Sequence, residues 1–148
     1  MIVSIVIVLD ARRYITVIVT FATALGATAC SLSPGAGDPP EITDAGYVEA
    51  GATAFDAVST LTAGAPYDLV VFVHDPDGDL DLIAETTTAP DRSESTVARF
   101  VSDRTERAGG HVFEVTAPAA GGIYTVTLVA EDERGDEGNE FSFAYSVE

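Results

Sequence analysis

The chain predicts an all-β fold: a two-sheet antiparallel β-sandwich of about seven strands, preceded by an apolar N-terminal segment. Three observations carry this. Thr, Val, Tyr and Phe are frequent while strong helix signals are missing. Turn residues recur about every ten positions. The last third reads as a hairpin: Tyr124, Val126, Leu128 and Ala130 alternate with Thr125, Thr127 and Val129, and Phe141, Phe143, Tyr145 and Val147 alternate with Ser142, Ala144 and Ser146.

In chain order, residues 1–29 read as an export signal. They are almost uninterrupted apolar sequence, broken by Asp10-Ala-Arg-Arg13. The stretch from Tyr14 to Ala29 is too short and too rich in small residues for a membrane span. A basic start, an apolar middle and a small-residue end make a signal segment. Its end, Ala27-Thr-Ala-Cys30, resembles a lipobox, with Ala27 where that motif prefers Leu. The resemblance implies lipid attachment at Cys30 and a place on the outer face of the cell membrane, at the cell surface. A cleaved signal with an incidental cysteine and an uncleaved anchor are the alternatives. Residues 30–40 are a Pro/Gly/Ser linker by composition. Residues 41–148 are the sandwich, of a size that suits one domain.

Within the domain, strands are expected at Ile42–Val48, Phe55–Leu61, Tyr67–His74, Leu80–Glu85, Val97–Ser102, His111–Thr116, Tyr124–Ala130 and Phe141–Val147. Tyr67–His74 is apolar on both faces, as a central strand is. Thr86–Glu94 reads as a polar loop and Asp103–Gly110 as a charged turn. Ala98 and Phe100 are the expected inward face of their strand, and Phe113 and Val115 share one face of theirs.

Charge narrows the function. The chain has 24 acidic and 7 basic residues among 148, a formal net charge of -17. Every basic residue is Arg. Nucleic acid is excluded, because phosphate binding needs clustered Lys and Arg. An electrostatic hold on anionic lipid is excluded for the same reason. Yet 47% of residues are hydrophobic and the mean hydropathy is +0.23, so a core can form. A folded, lysine-free, strongly acidic domain fits a halophile, where salt screens self-repulsion; GC-rich codon usage is the alternative source. Cys30 is the only cysteine, so no internal disulfide is available.

Two stretches resemble a family. Asp75-Pro-Asp-Gly-Asp79, after an apolar strand, is similar to the surface modules of immunoglobulin-like, PKD-type and cadherin-like proteins. The run from Thr116 to Asp132, with Pro118, Gly122, Tyr124, Val126, Leu128, Ala130 and then Gly135, is similar to the same modules' later strands. The resemblance spans Glu41–Glu148 and fails between Glu85 and Gly110. It implies an immunoglobulin-like sandwich and says little about function, because such sandwiches host many roles. The disulfide and core Trp of antibody domains are absent. Tyr124, soon after Gly121-Gly122, is placed as a tyrosine-corner residue, its hydroxyl bonding back to backbone.

The strands of that family would bring the loop at Asp75–Asp81 beside the loop at Glu131–Asp136. Asp75, Asp77, Asp79, Asp132 and Asp136 would then share a small volume and could hold calcium, a cation that takes oxygen ligands. The structural alternative is a β-turn, for which Asp-Pro-Asp-Gly is well suited. The EF-hand pattern fails: Glu85 stands at the eleventh position and no helices flank the loop. Arg134-Gly-Asp136 spells an adhesion tripeptide, a match that chance explains in such a chain. His74 and His111 have no ligand-spaced partner. No nucleophile elbow, phosphate loop or basic patch occurs.

The expected function is a non-catalytic, exported cell-surface module for binding, adhesion or spacing, held to the membrane through Cys30, with no obligatory cofactor and a protein or glycan ligand of unknown identity. A calcium-stabilised adhesion module and an accessory domain of a secreted enzyme are the alternatives.

Overall fold

The computed structural model describes residues 5–9, 15–19, 37–101 and 107–148. The alternation that marks the last two strands continues for eleven residues in each: β9 (Gly122–Asp132) and β10 (Glu137–Val147) form the longest hairpin. Every second residue of β9, from Tyr124 to Ala130, is buried. This is what a strand with one face on a core and one on water must do.

Among the described residues, eight strands make the domain. A three-stranded sheet has the order β3 (Glu41–Glu49), β5 (Pro66–His74), β8 (Ala108–Thr116). The facing sheet runs β7 (Glu94–Phe100), β6 (Leu80–Thr88), β9, β10, β4 (Thr60–Leu61). Two short strands precede the domain, β1 (Ile5–Leu9) and β2 (Ile15–Val19); they pair with each other, and β2 pairs with β7 at Ile18–Val97, which adds both to the edge of that sheet. The expected lipidation residue Cys30 and the end of the signal lie outside the described residues. Among the described residues, no helix is long and apolar enough to cross a membrane.

The two-sheet arrangement is an immunoglobulin-like sandwich. All pairings within the domain are antiparallel except one: β4 runs parallel to β10. The exception has a simple cause. The chain leaves β3 in one sheet and touches the edge of the other before returning to β5. Leu61, 1% exposed, is the residue that this excursion buries.

The core lies between the sheets. Leu69, Val71 and Val73 of β5 meet Ile83 of β6 and Val126, Leu128 and Ala130 of β9 in one cluster. Two attachments cross between the sheets at one end. The Asn139 side chain accepts from the Ile42 N–H at 2.7 Å and donates to the Ile42 carbonyl at 3.0 Å, so an amide side chain replaces a strand partner. Next to it Gly138 lets the Pro40 carbonyl approach so closely that a Cβ there would lie 1.6 Å from the oxygen. Pro40 is itself buried, so the packed domain begins slightly before Glu41.

Four strand expectations need correction. Phe55–Leu61 is a strand only at Thr60–Leu61, because residues before it fold over the outer face of the three-stranded sheet. There Phe55 meets Phe72 edge-on at 5.1 Å and Val58 bridges to Tyr47. Thr86–Thr88 is strand and not loop, extending β6 against β9 on one side and β7 on the other. The expected turn at Asp103–Gly110 gives way to β8 at Ala108. The fourth correction reverses a face. Phe100 is 62% exposed, while Arg99 and Val97 point between the sheets. Register decides this: Arg99 lies opposite Ile83 and Val97 opposite Glu85, and directly opposed antiparallel residues share a face.

Candidate functional site

The two acidic loops are neighbours, as the strand order requires. One follows β5 and the other joins β9 to β10, and both strands end on the same side of the sandwich. The contact is direct: the Glu133 N–H donates to the Asp79 carbonyl at 2.9 Å.

Each loop is organised by one buried aspartate. Asp75 is 1% exposed. Its Oδ1 accepts from the N–H groups of Asp77 at 3.2 Å and Gly78 at 3.1 Å, and its Oδ2 from Leu80 at 2.7 Å. Gly78 has φ +73°, the left-handed conformation that this turn needs and that side chains disfavour. Asp132, also 1% exposed, does the same in the second loop. Its Oδ1 accepts from the N–H groups of Arg134 at 2.8 Å and Asp136 at 2.9 Å.

Arg134 closes the arrangement. Its Nη2 lies 2.9 Å from Asp132, 3.2 Å from Asp79 and 3.4 Å from Asp77, and its Nε is 3.8 Å from Asp136. The guanidinium thus stands where the calcium reading puts a cation. Asp75, Asp77, Asp79, Asp132 and Asp136 are brought together, but both oxygens of Asp75 and Oδ1 of Asp132 are turned to backbone N–H groups, and Oδ2 of Asp132 to the Arg134 guanidinium. Among the described residues no three carboxylate, His or Cys groups are set to hold a metal ion. The adhesion tripeptide at Arg134-Gly-Asp136 has its arginine folded back on this cluster.

The carboxylates differ in proton affinity. Burial alone would raise the Asp132 carboxyl, but the N–H of Asp136 and the guanidinium and N–H of Arg134 outweigh it and hold the group below its ordinary range. Asp79 goes the other way. Loss of solvent raises it, Arg134 opposes, and the charges of Asp132, Asp75 and Asp77 add to the rise. Its Oδ1 is buried and has no hydrogen-bond partner. Glu131 is likewise raised by burial and by Glu137, Asp81 and Asp132.

A second polar site lies inside the sandwich, where β7 and β8 form the open side between the sheets. Glu85, 5% exposed, carries a buried carboxylate. Arg99 pairs with its Oε2 through Nε and Nη2. The Tyr47 hydroxyl donates to its Oε1 at 3.2 Å. The Arg99 guanidinium lies over the Phe113 ring, 5.4 Å from its centroid. Tyr47 meets Tyr145 edge-on at 4.9 Å, and Tyr145 stacks on Tyr124 at 5.4 Å. Burial pushes the Tyr145 hydroxyl up to about 12, and burial beside Glu85 raises Tyr47 further. Tyr47, Glu85, Arg99 and Tyr145 line a cleft of about 320 Å³ that Glu114–Thr116 of β8 also line.

Sequence reasoning missed this cluster. Glu85 reads as one polar residue in an alternating strand. The usable signal was an acid in β6 and a base in β7 at positions that share a face. The register shift between Leu80 and Leu82 lets Leu80 and Ile83, three residues apart, both face inward, and Glu85 follows Ile83 on that face. Tyr124 was legible: its hydroxyl donates to the Ala120 carbonyl at 2.8 Å, four residues upstream, as a tyrosine corner does.

No family model matches the chain, and no curated protein matches it. Among solved structures the chain is similar to the PKD domain of an M14-like peptidase from a Thermoplasmatales archaeon. The identity is 18%, with 76% of this chain and 98% of that one covered and a TM-score of 0.48. It is also similar to the soluble domain of PmoD from a Methylocystis species, at 11% identity over 70% of this chain and 89% of that one, with a TM-score of 0.40.

Proposed function

We propose that the chain is a non-catalytic, exported immunoglobulin-like module that is lipid-anchored through Cys30 and serves binding or spacing at the cell surface. The observation that carries the reading is the order of parts in the sequence. An apolar segment ends in Ala27-Thr-Ala-Cys30, a Pro/Gly/Ser linker follows, and then a sandwich domain. The geometry adds support. The two polar clusters are each tied up in internal hydrogen bonds and ion pairs, an arrangement that holds loops and strands in place. The acidic, lysine-free composition suits a surface exposed to high salt.

Intact mass of the protein isolated from membranes tests the anchor. A chain beginning at Cys30 and carrying a lipid is expected. A soluble chain that keeps residues before Cys30 overturns it.

A calcium-stabilised form of the same module is the second reading. Asp79 favours it, since its buried Oδ1 lacks a partner and sits among Asp75, Asp77 and Asp132. Calcium would have to displace Arg134. Thermal unfolding with chelator and with added calcium separates the two readings. An unchanged midpoint supports the arginine-closed loops, and a midpoint that rises with calcium supports the cation.

A further inference from the structure

We propose that the outer face of the larger sheet binds the same face of a second copy of this chain, forming a dimer that tightens as salt rises. Dimerisation goes beyond the reading of an anchored module and does not depend on the anchor, which intact mass reads separately.

The face is made by the outward residues of β7, β6, β9 and β10, adjacent in that order. Register sets them in rows across the strands, and the middle row is Thr96, Thr86, Thr127 and Ser142. Ala84 and Val129 form part of the next row. Two large apolar side chains stand in the open on the same face, Phe100 at 62% exposure and Ile123 at 70%. The one basic residue in these four strands, Arg99, points inward. The middle of the face carries no charge, on a chain of -17, and Glu94, Glu131 and Glu140 stand toward its margins.

The hydroxyls of the middle row are already paired. Thr86 bonds Thr96 at 2.9 Å, and Thr127 bonds Ser142 at 2.9 Å. A polar surface resists burial because its groups lose water and gain no partner. Here the partners lie within the face, so another surface can cover it at little cost in lost hydrogen bonds.

Charge and size select the occupant. A face with an uncharged middle offers no ion pair to an acidic or a basic partner, so what covers it is another neutral face. The chain carries such a face itself, and a two-fold contact sets like surface on like surface, as stacked sheets pack in a sandwich. Four strands over about nine residues span about 570 Å². Two such faces bury about 1,100 Å², just above the roughly 1,000 Å² that a specific interface needs. The acids at the margins, and the charge of the whole chain, oppose the contact. Salt screens that repulsion, so the dimer tightens as salt rises.

The test is sedimentation equilibrium of the whole chain over a range of concentrations, with excess neutral detergent to shield the apolar N-terminal residues. A dimer is expected, bound about tenfold more weakly at about 0.1 M salt than at about 1 M. Thr127→Glu puts two like charges into the middle of the contact and should leave a monomer at both salts. Ala144→Glu, at an exposed position opposite Thr125, makes the same check should Thr127→Glu fold poorly. Val112→Glu adds the same charge to the outer face of the smaller sheet, at a side chain that is 60% exposed, and should dimerise as the unaltered chain does. A chain that stays monomeric at both salts overturns the proposal, as does a dimer that weakens with salt. So does equal association of the unaltered chain and the folded Thr127→Glu or Ala144→Glu variant, because residues outside this face then carry the contact. Loss of the dimer in Val112→Glu alone overturns it too, by moving the contact to the other sheet.

Discussion

The molecule contains the same ion pair, arginine with carboxylate, in two settings. In the loops, Arg134 is 37% exposed and serves four aspartates. In the cleft, Arg99 and Glu85 have side chains only 17% and 7% exposed and serve mainly each other. The first looks like the more important site because it holds more charge. Physical chemistry ranks them in reverse. Solvent screens the loop charges, and the backbone N–H groups on Asp75 and Asp132 hold the turns without Arg134. In the cleft the pair is largely withdrawn from solvent, so removing either partner leaves the other poorly compensated. Charge density in a sequence therefore says little about which charges hold a fold.

The largest expected effect breaks the cleft. Arg99→Ala leaves Glu85 buried with only Tyr47 and a long contact from Thr87, and should cost about 3–5 kcal/mol of unfolding free energy in urea titration. Raising salt should leave that loss unchanged. Arg134→Ala should cost less, and its loss should shrink as salt rises; a salt-insensitive Arg134→Ala effect would reverse the ranking.

Next is the loop's own frame. Asp75→Ala removes the acceptor of three N–H groups and should cost about 2–3 kcal/mol, more than Arg134→Ala. Should the two variants lose equally, the guanidinium and not the backbone caps holds the loop.

Tyr124→Phe deletes one hydroxyl bond while keeping the ring stacked on Tyr145, and should cost about 1 kcal/mol by the same titration.

The smallest effect has the opposite sign. Asp79→Asn should raise the melting midpoint at neutral pH, because the native state disfavours the charged form of Asp79. The linkage runs accordingly. An acid whose folded pKa is raised makes the native protein more stable as pH falls through that pKa, and the variant should lack this gain. Asp132, held low, contributes stability above its unfolded pKa that is lost as pH falls through its folded one. With calcium in the site the Asp79→Asn sign would invert, since the variant would lose a ligand.

Much of this was legible in the residues. The β9–β10 hairpin follows from alternation alone. Tyr124 follows from its place after Gly121-Gly122. The meeting of the two acidic loops follows from reading the strands before them as ones that end on the same side of an immunoglobulin-like sandwich. Local pattern failed at Phe55–Leu61, where Phe55 packs on Phe72 and only Thr60–Leu61 joins a sheet as a strand, and at Phe100, whose size suggested burial.

The sequence by itself determined the strand periods, the turn at Asp75–Asp81 and the net charge, because these depend on neighbours along the chain or on composition. Only the tertiary structure decided that Arg134 stands among the aspartates and that Arg99 rather than Phe100 faces inward. Each of these depends on register between strands distant in sequence. A shift of one residue in that register exchanges the two faces of a strand.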